Sequence, residues 1–256
     1  MKKILSILML ALLVAVPFEA SARKNATGKS RAKSSSSAVV KGAVKEYGDY
    51  LTTQVFTYNK GRNKFKVEYP IAGNPDLVSS VRNWIKDMVD DTFKGSLSTP
   101  DALLKTAASK LMSDENVVQD IKVVYDNSKI ISFLNDYYWY GGGAHGDASQ
   151  PGATFRVSDG MEFDSDMLPA FSAMKDKIKA GLAKYWNTSV ANLNDYFFNS
   201  DSLAAYPGSI YITGDGIVFQ YDQYEIAPYS EGMPKAVVPV DKSVLQSLTP
   251  EGRSFF

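Results

Sequence analysis

Three pairs of alternating apolar and polar runs sit around short turn signals, and this pattern constrains the fold more than anything else in the chain. Val117–Tyr125 and Lys129–Tyr140 flank Asp126-Asn127-Ser128, while Ala153–Val157 and Met161–Phe163 flank Ser158-Asp159-Gly160. Ser209–Thr213 and Ile217–Tyr224 enclose Gly214-Asp215-Gly216. Alternation with period two marks half-buried strands, and Asp-Gly and Asn-rich links reverse the chain tightly enough to pair them as hairpins. A further pair, Tyr50–Tyr58 and Lys64–Tyr69, brackets Asn59-Lys60-Gly61-Arg62-Asn63. Helical stripes lie between these pairs. Leu77, Val81, Trp84, Ile85, Met88 and Val89 follow the opening Asn74-Pro75-Asp76, and Leu103, Leu104, Ala107 and Leu111 follow Thr99-Pro100-Asp101. Phe171, Met174, Ile178, Leu182 and Tyr185 share one side of Leu168–Trp186. A short strand, Val237–Val240, and a last helix, Asp241–Leu248 with Asp241 as its cap, complete the pattern. Hairpins separated by a few helices imply an α+β fold: a single domain with an antiparallel sheet and packed helices.

Ahead of this domain, Met1-Lys2-Lys3 precedes an apolar run, Ile4–Val16, broken only by Ser6; Pro17 and Ala20-Ser21-Ala22 follow. A basic start, a short apolar core and a small-x-small site form a secretory signal peptide over 1–22, with cleavage expected after Ala22. Thirteen residues fall short of the roughly 20 that a membrane-spanning helix needs, and no later segment is longer and as apolar, so no transmembrane anchor is expected. The run from Arg23 to Ser37 holds five basic side chains and no acidic one, and a basic flexible tether is expected over 23–45, with the folded domain over 46–256. The net charge of zero is therefore an average: 21 basic and 27 acidic side chains remain from Ala38 onward. A mildly acidic domain argues against nucleic acid as a partner and favours a basic one.

The chain has no cysteine and one histidine. This removes disulfides, thiol nucleophiles, cysteine-ligated metals and a lipid-modified cysteine, and no cofactor or metal site is implied. The histidine falls in the most unusual segment, Tyr137-Tyr138-Trp139-Tyr140-Gly141-Gly142-Gly143-Ala144-His145-Gly146. Gly141, Gly143 and Gly146 spell G-x-G-x-x-G, but a dinucleotide site needs a helix to start there, and Asp147-Ala148-Ser149-Gln150-Pro151-Gly152 breaks helices. Strand alternation places Tyr138 and Tyr140 on one face and Tyr137 and Trp139 on the other. A second conspicuous segment, Tyr221–Gly232, carries Tyr224, Glu225 and Tyr229 through a turn fixed by Pro228.

Gly141–Gly146 after an aromatic strand, then Phe219–Gly232 followed by Val237-Val238-Pro239-Val240 and a short helix, resembles the RsiV-type family of extracytoplasmic domains of unknown function. The resemblance runs from about Lys64 to Leu248. It implies an α+β bacterial domain outside the cytoplasm. One family member is the outer half of a membrane-bound anti-sigma factor that senses lysozyme by binding it, and related domains accompany peptidoglycan deacetylases. Here no transmembrane helix, sigma-binding segment or deacetylase domain accompanies the motifs. The expectation is a periplasmic or secreted binding domain whose partner is a lysozyme-like protein or a peptidoglycan fragment. Tyr138, Tyr140, Gly142, Gly143, His145, Tyr224, Glu225 and Tyr229 are the candidate binding residues, and no catalytic residue is assigned. Two alternatives stand beside it. His145 could serve as the base of a cell-envelope hydrolase or of an accessory to peptidoglycan modification, or both motifs could serve only to specify the fold.

Overall fold

A computed structural model of the chain describes residues 38–199 and 202–256, so the leader and the first part of the tether lie outside the described residues. The strands of the main sheet are β1 (Val40–Tyr47), β2 (Leu51–Lys60), β3 (Asn63–Gly73), β4 (Asn116–Asp126), β5 (Ile130–Tyr140), β6 (Asp147–Ser149) and β7 (Gly152–Arg156). They run in the order β1-β2-β3-β4-β5-β6, and β7 pairs with the first half of β5 while β6 pairs with its second half. A smaller sheet has β8 (Ser209–Thr213), β9 (Gly216–Gln220) and β10 (Lys235–Val238) in the order β10-β9-β8. Helices α1 (Pro75–Asp90), α2 (Asp101–Lys110), α3 (Phe171–Tyr185), α4 (Lys242–Ser247) and α5 (Pro250–Arg253) complete an α+β fold.

Local chemistry explains the helix starts. Asn74 Oδ1 accepts the Asp76 amide at 3.0 Å, filling one of the orphan donors at the start of α1, and its Nδ2 donates to the carbonyls of Val157 and Ser158 at 2.9 Å. Asp241 caps α4 in the same way through the Val244 amide. The apolar stripe of α1 (Leu77, Val81, Trp84, Ile85) and that of α2 (Leu103, Leu104, Ala107) close over Phe56, Phe65, Val67, Phe133 and Phe155 of the main sheet. A second core lies between α3 (Met174, Ile178, Leu182) and the small sheet (Ile210, Ile217, Phe219, Ala236, Val238).

The two cores meet at a buried polar ring. The Ile212 amide donates to Thr154 Oγ1 at 2.7 Å, and Ser132 Oγ donates to the Ile212 carbonyl at 2.6 Å. The Thr154 and Ser132 hydroxyls are 2.8 Å apart, so Thr154 donates to Ser132 and the ring closes. Side chains of β5 and β7 thus satisfy the main chain on the outer edge of β8.

Four features differ from the sequence expectation. Val40–Tyr47, mostly assigned to the tether over 23–45, is a strand. Its side chains are nearly all exposed, so no hydrophobic period announces it; its ladder with Leu51–Thr57, together with the bonds of Lys45 and Tyr47 to Glu68, holds it. Among the main-sheet pairs β3–β4 is parallel rather than antiparallel, because α1 and α2 carry the chain back across the sheet between them. Met161–Phe163 forms no strand and pairs with β7 only through the Phe155–Glu162 bridge. β9 ends at Gln220, so Tyr221–Tyr224 leave the sheet and belong to the following turn.

Candidate functional site

The glycine loop leaves the end of β5 and returns as β6, and no helix follows it, so it has no N-terminal dipole to offer a phosphate. Alternation along β5 holds as expected. Tyr137 and Trp139 turn toward the α1–α2 core, with the Trp139 indole donating to Glu115 Oε1 at 3.0 Å. Tyr138 faces outward at 37% exposure. The Tyr140 hydroxyl donates to the Gly143 carbonyl at 3.0 Å and so spans the loop it introduces.

The glycines have distinct reasons. Gly142 and Gly143 have φ of 102° and 96°, with open space where a Cβ would point; they serve backbone conformation. At Gly146 a Cβ would lie 2.4 Å from the Trp139 carbonyl oxygen and 2.6 Å from the Tyr138 ring, so this glycine serves close approach. Tyr138 therefore lies directly against the residue after His145.

His145 is exposed and both its ring nitrogens are engaged. Nδ1 is 3.1 Å from the Gly146 carbonyl, which can only accept, so the neutral ring carries its proton there. Nε2 is then the acceptor for the Tyr224 hydroxyl at 3.2 Å. The imidazole stacks on Tyr229 with centroids 4.0 Å apart and planes 26° apart, and Tyr224 and Tyr229 are themselves 5.7 Å apart. Tyr224 reaches this position at φ 64°, a left-handed conformation that a bulky side chain adopts only when its surroundings hold it.

Seven of the eight sequence-predicted residues thus fall on one contiguous surface: Tyr138, Tyr140, Gly142, Gly143, His145, Tyr224 and Tyr229. Glu225 differs in role. Its carboxylate accepts the Asp222 amide at 2.8 Å and stabilises its own turn. Burial pushes the carboxyls of Glu225 and Asp222 upward in pKa. Gln223 is the residue that sequence reasoning missed. Its Oε1 accepts the Ala148 amide at 2.8 Å, fastening the turn to β6. No local pattern marks it, since the contact exists only once the two segments meet. The acidic run after β7 is locally used: Asp159 pairs with Arg156, and Asp164 caps Ser165–Met167.

Comparison with known families divides the chain at this site. Residues 163–241 match the family described as a protein of unknown function (DUF3298), and residues 56–147 match the one described as deacetylase PdaC. The chain carries a DUF3298 region joined to a PdaC-like region. The PdaC-like region supplies Tyr138, Tyr140 and His145, and the DUF3298 region supplies Tyr224 and Tyr229, so the aromatic surface straddles the junction. A DUF3298-family protein from Bacteroides fragilis is similar in structure, with a TM-score of 0.63 and 15% identity over 86% of this chain and 95% of that one. Another from Pseudomonas aeruginosa PAO1 has a TM-score of 0.56 and 17% identity over the same shares. At these identities the likeness is one of fold. No curated protein matches the sequence significantly.

Proposed function

We propose that this chain is an exported, extracytoplasmic binding domain of the RsiV type, and that its partner is a basic protein of the lysozyme kind. The observation that carries this reading is the exposed stack of His145 on Tyr229, with Tyr224 bonded to the imidazole and Tyr138 beside it. Tyrosines present large amphipathic surfaces at little cost in side-chain entropy, which suits recognition. The two segments that build the surface contain Asp147, Asp222, Glu225 and Glu231 and no lysine or arginine. Aromatic faces on segments that carry acidic and no basic side chains favour ammonium and guanidinium groups over a neutral sugar. Export rests on the leader over 1–22, with release after Ala22.

The imidazole is poorly arranged for the hydrolytic alternative. A general base needs a free nitrogen toward a nucleophile and a partner that orients the ring. Here Nε2 is met by a phenol and Nδ1 by a backbone carbonyl.

Affinity capture tests the reading. The mature chain is immobilised and challenged with lysozyme or with peptidoglycan fragments, beside Tyr138→Ala and Tyr229→Ala variants. Retention of lysozyme by the wild type and its loss in both variants is expected. Equal retention by all three removes the aromatic surface from the account, and capture of peptidoglycan alone replaces the basic protein with a glycan. Mass spectrometry of the exported protein locates the cleavage, expected before Arg23.

A further inference from the structure

The small sheet has two outer edges, and only one is closed. On β8 the main chain of Ile212 is met by Ser132 and Thr154, and Ser209 Oγ accepts the Gly152 amide at 2.8 Å. On the other side β10 ends the sheet. Its register with β9 fixes what it presents outward. The Tyr221 amide donates to the Pro234 carbonyl at 2.8 Å, and Lys235 pairs with Gln220, Ala236 with Phe219 and Val237 with Val218. Alternation of an antiparallel ladder then turns the N–H and C=O groups of Lys235 and Val237 away from β9, toward the open edge.

α3 packs on the face of the sheet that Ala236 and Val238 share, and its Gly181 borders this edge. A Cβ on Gly181 would sit 2.8 Å from the Ala236 Cβ, so the helix comes close only because residue 181 has no side chain. Lys177 and Lys184, four before and three after Gly181, share its helix face. With Lys235 they border two adjoining cavities of about 290 and 430 Å³ that share Gly181, Lys184, Val237 and Pro239. Lys177 stands 3.6 Å from Asp241, and Asp215 lies at one end of the groove. Lys184 and Lys235 have no acidic partner among the described residues. The groove sets three lysines against Asp215 and Asp241, and it combines the outward main-chain groups of β10, an apolar floor at Val237 and Pro239, and two lysines, Lys184 and Lys235, that lie outside any ion pair among the described residues.

We propose that the α3–β10 groove takes an extended acidic peptide segment of a partner protein, added as a fourth strand to the small sheet. Its main chain pairs with Lys235 and Val237, its carboxylates on the α3 side meet Lys184, and its alternate side chains lie on the opposite face beside Lys235 and Val237. This proposal does not rest on the reading of the aromatic surface.

The probe is a fluorescein-labelled octapeptide of alternating Glu and Val, followed by fluorescence anisotropy, with a Lys–Val octapeptide and inorganic polyphosphate as comparators. The Glu–Val peptide is expected to bind saturably and the Lys–Val peptide not at all. The double variant Lys184→Glu, Lys235→Glu is expected to weaken binding at least tenfold, and Val237→Pro, which keeps every lysine, to weaken it as much. Because Val237→Pro also perturbs the strand, amide hydrogen exchange of the wild type provides the independent readout. Exchange at Lys235 and Val237 is expected to slow when the peptide is added. Absence of saturable binding, binding indifferent to the lysine reversals, or polyphosphate binding equally well with no protection of those two amides overturns the proposal.

Discussion

The imidazole of His145 lies on the ring of Tyr229 at 4.0 Å, and this contact joins the glycine loop of the main sheet to the turn that leaves the small one. Two segments with separate hydrophobic cores therefore share one exposed aromatic surface. A change in either segment is therefore expected to reach the other.

The hydrogen-bond arrangement of His145 requires one neutral tautomer, with the proton on Nδ1. Nitrogen-15 chemical shifts of the neutral imidazole check this directly. Tyr224→Phe removes the donor to Nε2 without disturbing either core, so the melting temperature is expected to stay within about 2 °C, as for a surface change worth under ~0.5 kcal/mol in a domain of this size. The tautomer preference is expected to weaken in the same variant.

Gly143→Ala and Gly146→Ala separate backbone strain from close packing. Space is open beside Gly143, so its variant pays only for a positive φ, about 1–2 kcal/mol. At Gly146 the new methyl would lie 2.4 Å from the Trp139 oxygen, so the loop must also shift away from Tyr138. Thermal melting is expected to place Gly146→Ala well below Gly143→Ala, with the larger change in the His145 signals.

The hydroxyl ring around Ile212 predicts a contrast at Thr154. Thr154→Val leaves the buried Ile212 amide and the Ser132 oxygen without their partner, at a cost of about 1–3 kcal/mol. Thr154→Ser keeps the hydroxyl and is expected to cost less, mainly for the lost methyl group. Hydrogen exchange at Ile212 is expected to accelerate selectively in the valine variant, since that amide lies where the two cores meet.

Asp90 carries the pH dependence. Burial opposes its charged form, but Lys110 at 2.6 Å and Thr92 outweigh burial and hold the carboxyl below the usual carboxylate range. A folded-state pKa below the unfolded one contributes stability that is present above the unfolded value and is lost as pH falls through the folded one. Asp90→Asn is expected to lower stability at neutral pH by about 1–2 kcal/mol, a range reduced for the half-exposed lysine. The difference from wild type is expected to shrink below the carboxylate range in urea titrations.

Much of this was legible in the sequence where one residue's role depends on near neighbours. The stripe on α1, the caps Asn74 and Asp241, and the opposite faces of Tyr138 and Trp139 follow from spacing and from local hydrogen bonding. Roles that depend on distant contacts were not legible. β1 has no buried face to impose a period, and β3 and β4 alternate as antiparallel strands do although their pairing is parallel. Glu225 looked like a contact residue because it sits between two tyrosines, yet its carboxylate holds the Asp222 amide. Gln223 looked ordinary until its amide oxygen met β6.

On the reading proposed above, the aromatic surface around His145 binds a basic partner. Isothermal titration of lysozyme into the mature domain, beside the Tyr229→Ala variant with its fold checked by circular dichroism, tests it most directly. Saturable binding by the wild type, weakened at least tenfold in the variant and further by added salt, is the result expected. Equal affinity in both proteins, or no heat of binding with the wild type, would contradict it.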